Sequence, residues 1–302
     1  PKVVASTATA RRADRQIRAI FGRREVDIFP PPGPDLRDSF FARTESPEES
    51  NARLYVGVAA QGRSLKVALL RAYLALMGAA QKAYRADGDK RNKENAADPY
   101  MTLLGYFNSL RELGGSRRIV EDEVVSRLAG YGSRKRLGET EGLFTDRTVR
   151  YEVVELTSRV STDEAADAKR RLALPFHEDG RVDVAIATNM ISVGLDITRL
   201  GLMAVLGQPR TSAEYIQATS RVGRDPDRPG LVVTLLNIHR PRDRSHYERF
   251  AAYHDSFYRN VEAASVTPFS PRALDRGLAG AAVGLARLGH GAMTPPRGAE
   301  NI

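Results

Sequence analysis

The stretch "RVDVAIATNMISVGLDI", Arg181 to Ile197, decides the reading of the fold. Its first half, 181–189, is a short run of Val, Ile and Ala, the pattern of a strand buried on both faces rather than one half exposed to water. Its second half breaks at Asn189, turns through Ser192 and Gly194, and reaches Asp196. In a parallel sheet covered by helices, ligands collect beyond the carboxyl ends of the strands. Thr188 and Ser192 can donate hydroxyls to a phosphate, Gly194 admits close approach of backbone amides, and Asp196 can accept from a ribose hydroxyl. The same residues also fit a plain strand-to-loop exit with a turn glycine and an exposed acid.

Further strands and helices alternate around this stretch. Strands are expected at 53–59, 150–158, 202–208 and 230–237, with helices from about Ser64 to Asp87 and at 211–223 and 244–262. In the Ser64–Asp87 stretch, Leu65, Leu69, Tyr73, Leu76 and Ala80 recur at spacings of three and four. A helix after Ser161 opens with a capping box to Glu164. Residues 99–140 read as helices joined by polar turns, an insertion of about 85–150 rather than another strand-helix unit. Upstream, Lys2 to Thr9 reads as a short buried strand and 11–22 as a helix ending at Gly22. Proline and acid crowd 27–50, which reads as a linker. From Thr267 the tail holds one more helix rich in small residues and then frays. The expected fold is α/β, a mostly parallel sheet flanked by helices, with a helical insertion.

A second segment, "EYIQATSRVGRD" at 214–225, sets Gln217, Arg221 and Arg224 at i, i+4 and i+7. That spacing shares one helix face, and two planar, permanently charged forks aimed together suit phosphate oxygens. Gly223 frees the backbone just before Arg224. A solvated basic helix end, favoured by the helix dipole, fits the same residues. A third segment, "VVASTATA", ends a strand in Ser6, Thr7 and Thr9, which can relay hydrogen bonds or simply cap a helix.

The chain has 302 residues and a net charge of +9, which suits a polyanionic partner such as nucleic acid, although the basic residues are mostly Arg and fit a composition bias equally. The 42% hydrophobic content is that of a soluble globular chain, and no apolar run reaches the length of a membrane span. The opening residues lack the apolar core of a signal peptide, so the expected location is cytoplasmic. Without cysteine, disulfides and thiolate metal sites are excluded. The chain opens mid-strand without Met, and so reads as a piece of something longer.

In order and spacing, "STAT", "ATNMISVGLDI" and "QATSRVGR" resemble motifs III, V and VI of superfamily 2 helicases. "RLYVGV" and "ELTSR" look like the region of motif IV and its neighbour. "YFNSLRELGG", "GQPRTSAEYIQATSRVGR" and "VTPFSPRALDRGL" are similar to the large helicase subunits of DISARM phage-defence systems. The resemblance implies that 1–26 closes a first RecA-like lobe, that 51–265 is the second lobe, and that 266–302 is an extension. It implies ATP and Mg²⁺ in the cleft between lobes, with Arg224 as arginine finger, Arg221 beside it and Gln217 orienting the pair. Asp196 and Gly194 would meet the nucleotide. Thr188, Asn189, Ser192, Thr157 and Arg159 would meet a nucleic-acid backbone, expected to be single-stranded or forked DNA, and Ser6, Thr7 and Thr9 would couple the two sites. Other defence-system subunits are the remaining implied partners.

No "GK" dipeptide occurs, so the phosphate loop and the Mg²⁺-binding acids are expected upstream. The "DEAA" at 163–166 imitates the helicase acid motif, but it opens a helix behind a capping serine and follows motif III instead of preceding it. The chain alone is therefore expected to be inactive. A catalytically incomplete nucleic-acid-binding module, or a split subunit, is the competing reading. A metal-dependent nuclease built on His239, His246 and His254 is a distant third, since histidines so spaced on a helix usually pack or face solvent; no metal ligands are assigned.

Overall fold

The computed structural model describes residues 2–7, 9, 11–29, 31, 34, 38–39, 42–46, 48–150, 152–188, 196–262 and 267–301. The chain divides into two compact units, Pro1–Arg43 with Glu262–Ile302, and Thr44–Val261.

In the first unit, helix α1 (Ala13–Phe21) ends at Gly22, whose left-handed backbone donates its N–H to Arg18 O at 2.9 Å, as expected of a C-terminal glycine. The strand expected over Lys2–Thr9 does not form at 2–7, and Val4 is 94% exposed. A strand needs a ladder partner, and among the described residues none pairs with this segment. The proline-rich linker holds a small antiparallel ladder, β1 (Asp38–Ser39) on β2 (Ala42–Arg43). Pro30, Pro31, Pro32 and Pro34 precede the ladder and Pro47 follows it.

The second unit is built on a six-stranded, all-parallel sheet. Strand β3 (Leu54–Ala59) leads into helix α2 (Leu65–Ala86), whose cap Ser64 accepts from Val67 N. Next comes β4 (Leu103–Phe107), then α3 (Leu110–Arg118), which runs through a π turn, Ile119–Val124, into α4 (Val125–Leu128). Strand β5 (Val154–Leu156), helix α5 (Thr162–Ala173) and strand β6 (Val184–Ala187) follow. Strand β7 (Leu202–Leu206), helix α6 (Ser212–Thr219) and strand β8 (Leu231–Leu236) complete the alternation. The sheet order is β3-β8-β7-β4-β6-β5.

Two expectations need correction. Residues 99–140 are not helices throughout, because β4 lies at the centre of the sheet between β7 and β6. All five of its residues are buried, so the alternation that marks a half-exposed strand is missing. Gly105 at its middle is required by packing: a Cβ there would collide with the Tyr73 hydroxyl from α2. The helix expected over 244–262 is three pieces, α7 (Pro241–Glu248), α8 (Phe250–Asp255) and a 3₁₀ turn at Phe257–Asn260. The break at Arg249 lets Phe250 turn onto β3, where its ring packs so close to Gly57 that a Cβ would sit 2.7 Å from it. In the first unit, α9 (Pro271–Gly289) supplies the helix expected in the tail.

Strand side chains alternate between two apolar layers. Leu103, Val184, Leu202 and Leu235 face α2, α3 and α4, while Leu104, Ala185, Met203 and Val232 face α5 and α6. At the amino ends of the central strands the chain buries two ion pairs. Arg147 donates to Asp183 Oδ1 at 2.8 Å and to Met101 O at 2.5 Å, with both side chains at 1% exposure or less. Asp183 Oδ2 also accepts from Arg150 N at 3.1 Å. Beside them, Arg199 Nε donates to Asp98 Oδ2 at 2.6 Å and an Arg199 terminal nitrogen donates to Thr102 Oγ1 at 2.9 Å. The Arg147 and Arg181 guanidinium groups lie 5.0 and 4.4 Å from the Phe176 ring centre.

Removing one member of such a pair strands a buried charge, at a cost of about 3–5 kcal/mol. Asp183→Ala is accordingly expected to lower unfolding free energy by that amount in urea titrations of the isolated chain, and Arg147→Met/Asp183→Leu to recover most of the loss.

Candidate functional site

Polar side chains tie neighbouring loops together at the carboxyl ends of the strands, while the arginine segment lies toward their amino ends. Asn108, directly after β4, donates its amide to Leu206 O at 2.9 Å and Gly207 O at 3.3 Å, joining the ends of β4 and β7. Buried Asp243 accepts from Gln208 N at 3.2 Å and Asn237 N at 3.0 Å, joining the ends of β7 and β8. Gly207 turns with φ +73° between them. Sequence reading missed this staple; the available signal was "NS" after an apolar run, a strand ending in a helix cap.

The arginine segment begins where α6 ends. Thr211 caps that helix by accepting from Glu214 N. Thr219 turns its hydroxyl back onto Tyr215 O at 2.8 Å, and the helix stops there. Arg221 and Arg224 therefore lie beyond the helix, not on one of its faces with Gln217 as the spacing predicts. The chain is drawn off its axis by tertiary bonds: Gly223 N donates to Leu200 O at 2.7 Å, and Arg53 Nε donates to Val222 O at 2.8 Å. Gly223 has φ +65° and approaches Gly230 so closely that a Cβ would lie 2.5 Å from its backbone.

Arg224 does not project forward unengaged. Its Nε donates to Ser220 O at 2.9 Å, and a terminal nitrogen donates to Asp196 Oδ1. The Arg224 side chain is 27% exposed and that of Asp196 70%. Arg221, half-buried, has its pKa lowered by burial and then by the neighbouring Arg224 cation, with Asp196 opposing. Three of the expected site residues, Arg221, Arg224 and Asp196, thus form one electrostatic group, and Gln217 precedes them in α6.

The expected nucleic-acid residues are placed less uniformly. Thr188 is buried at the end of β6, and Thr157 is buried at the end of the adjacent β5. Thr157 donates its hydroxyl to Glu155 Oε1 at 2.6 Å and accepts from Arg159 N at 3.3 Å, so it serves a local turn. Arg159 is exposed beside a cavity of about 670 Å³ that also carries Glu155, Asp163 and Asp167. Those acids work against a phosphate chain there. Asn189, Ser192 and Gly194 lie outside the described residues. Ser6, Thr7 and Thr9 belong to the first unit, where Thr9 N donates to Thr7 Oγ1 at 3.3 Å in a local turn.

His254 and His246 take packing roles, while His239 is exposed. His254 sits among Tyr55, Tyr215 and Phe257, with ring centres 4.6, 5.8 and 5.2 Å away. Its Nδ1 is 2.8 Å from Phe250 O and its Nε2 is 3.2 Å from the Tyr215 hydroxyl. Nδ1 must be the donor to that carbonyl, so Nε2 accepts in the neutral ring. Burial pushes the His254 pKa down. His246 packs edge-on to Tyr253. Among the described residues, no group of three or more His, Asp or Glu is placed to hold a metal, and no helix is long and apolar enough to cross a membrane.

The chain thus joins a parallel sheet to an arginine pair at the exit of its last helix crossover, and residues 129–226 match the family described as "Helicase conserved C-terminal domain". The whole chain is 42% identical to DISARM protein DrmA of Bacillus paralicheniformis, to which it is homologous, and it spans about a quarter (26%) of that protein's length. Among solved structures it is similar to the Mycobacterium smegmatis helicase Lhr bound to ssDNA and AMP-PNP. That likeness has 15% identity, a TM-score of 0.49, and covers 78% of this chain and 25% of that one. It is also similar to the DUF1998 helicase MrfA bound to DNA, with 14% identity, a TM-score of 0.45, and 73% and 24% coverage. The resemblance expected from the motifs, to superfamily 2 helicases and the DISARM subunit, holds.

His254 offers a test of the packing that backs α6. Its folded pKa is depressed, so the unfolded chain binds the proton more readily, and stability falls as pH drops below the ordinary histidine range near 6.5. The melting temperature is expected to decline between about pH 7 and pH 5, and to decline less steeply in His254→Gln.

Proposed function

We propose that this chain is the C-terminal part of an ATP-dependent superfamily 2 DNA helicase or translocase acting in phage defence, and that it contributes the arginine finger and part of the nucleic-acid track. The observation that carries the reading is the Arg221–Arg224 pair, two cations pressed together between the end of α6 and the start of β8 with a solvent-exposed carboxylate as counter-charge. Such a pair suits phosphate oxygens, because a phosphate has enough of them to meet both forks at once. Homology to a DISARM protein supports the defence assignment.

In this reading 1–26 closes a first RecA-like lobe, 27–50 links it to the second lobe at 51–265, and 266–302 extends the second. ATP, when bound, supplies the phosphoanhydride bond whose hydrolysis drives movement, with Mg²⁺ countering its charge; both are held mainly by the first lobe. The donor set here fits one half of such a site: guanidinium groups and a carboxylate, with no "GK" dipeptide to cradle phosphates. Arg224 acts as the finger by exchanging Asp196 for phosphate oxygens. The exchange costs little, since an exposed ion pair is worth only about 0–1 kcal/mol. Arg221 holds the same anion from the side, Gln217 orients the pair, and Asp196 with Gly194 meets the nucleotide. Thr188, Asn189, Ser192, Thr157 and Arg159 are proposed for the nucleic-acid backbone, with Ser6, Thr7 and Thr9 coupling that track to the cleft. Single-stranded or forked DNA and other defence-system subunits are the proposed partners.

An arginine finger is worth about 10³–10⁵ in rate, but only in an assembled site. Arg224→Ala in the full-length protein is expected to reduce DNA-stimulated ATP turnover by that factor without lowering the melting temperature. Turnover at the unmodified rate would remove the finger assignment. Separately, the isolated chain is expected to hydrolyse no ATP in a steady-state assay, with or without single-stranded DNA; measurable turnover would contradict the half-site reading.

A further inference from the structure

The arginine segment between α6 and β8 is held from several sides. Asn51 donates its side-chain amide to Pro226 O at 3.0 Å, the Tyr100 hydroxyl donates to Pro229 O at 2.6 Å, and Gly223 N reaches Leu200 O. Arg53 makes the contact nearest to Arg224. Its Nε donates to Val222 O at 2.8 Å and a terminal nitrogen donates to Gly223 O at 3.3 Å. These are the carbonyls of the two residues immediately before Arg224. Arg53 is half-buried just ahead of β3, and its stem packs on Gly230, where a Cβ would lie 3.2 Å from Arg53 Cγ.

A loop carbonyl near the surface needs no protein partner, because water satisfies it. A guanidinium spanning two successive carbonyls does something else: it fixes the orientation of the peptide from which Arg224 departs. Gly223, with φ +65°, is the residue with most freedom to swing that peptide, and Arg53 grips it on one face while Leu200 O grips it on the other. The remaining slack in Arg224 lies in its side chain, which Ser220 O and Asp196 already restrain.

We infer that Arg53 is a positioning residue for the arginine finger, setting the Val222–Gly223 peptides so that Arg224 meets the transferring phosphate in register. It rests on the finger reading proposed above. It also ties the finger to the first residues after the expected linker at 27–50, since Asn51 and Arg53 both bond to the arginine segment. A lysine at this position keeps one charged donor but loses the fork that reaches both carbonyls.

The test is steady-state ATP turnover of the full-length protein on a single-stranded DNA oligonucleotide, over a range of ATP concentrations. It compares Arg53→Ala, Arg53→Lys, Arg224→Ala and Arg53→Ala/Arg224→Ala, with melting temperature as the control for folding. Misplacing a catalytic group by about 1 Å costs on the order of 100-fold. Arg53→Ala is expected to lower kcat by about 10- to 100-fold with KM for ATP little changed, as befits a contact realised only in the transition state. Arg53→Lys should lie between, which also covers the case in which the alanine variant melts early. The double variant should turn over at the rate of Arg224→Ala alone, because Arg53 acts through Arg224. Unchanged kcat in both Arg53 variants overturns the proposal, and so does a double variant slower than Arg224→Ala. Full turnover in Arg224→Ala removes the finger reading itself and Arg53's role with it; a loss there without one in the Arg53 variants removes Arg53's role alone.

Discussion

The buried contact between Arg147 and Asp183 is the constraint on which the rest of the sheet depends. One guanidinium reaches the carbonyl before β4 and the carboxylate before β6, and that carboxylate also accepts from the backbone leading toward β5. Three neighbouring strands therefore start at heights set by one fully desolvated pair. Arg199 and Asp98 repeat the device, joining the stretch before β4 to the turn before β7. Parallel strands of continuous apolar character have little in their own sequence to fix register, since sliding by two residues keeps every side chain on its face. A polar bond whose members cannot find water does fix it, because any slip leaves a buried charge unpaired.

Register at the amino ends decides geometry at the carboxyl ends. With Leu103 paired to Val184 and to Leu202, the ends of β4, β6 and β7 fall within a residue or two of one another. There Asn108 and Asp243 finish the alignment with bonds to backbone rather than to other side chains. The arginine segment hangs from the opposite, amino ends of the strands, through Leu200 before β7, Arg53 before β3 and the close approach of Gly223 to Gly230 before β8. Asn108 and Arg53, which grip backbone carbonyls here, each flank a strand.

The aromatic group around His254 plays a corresponding part on the other side of α6. Tyr215 links that helix to β8 through Thr234 at 2.9 Å and to α8 through His254. A helix of eight residues is marginal by itself, so its position is owed to this packing more than to propensity. Phe250, Tyr253 and Phe257, at i, i+3 and i+7, each reach this group from the broken run α7–α8–turn.

Much of this protein was determined by its sequence. Short β-branched runs between capped helices specified a covered parallel sheet, and the caps at Ser64, Ser161 and Thr211 stand where their side chains predict, because capping is local chemistry between a hydroxyl and an amide three residues on. The motifs also singled out Arg221, Arg224 and Asp196, which the fold brings together. Only the tertiary structure decided the rest. Strand β4 was hidden because a strand buried on both faces lacks the alternation that separates strand from helix. Lys2–Thr9 carried the residues of a strand without a described strand to pair with. The arginines left the helix predicted for them because Leu200 and Arg53, far away in sequence, offered the backbone bonds that a further helical turn would have supplied. Local pattern reports what a segment can become, and which alternative it takes depends on the partners that the fold brings to it.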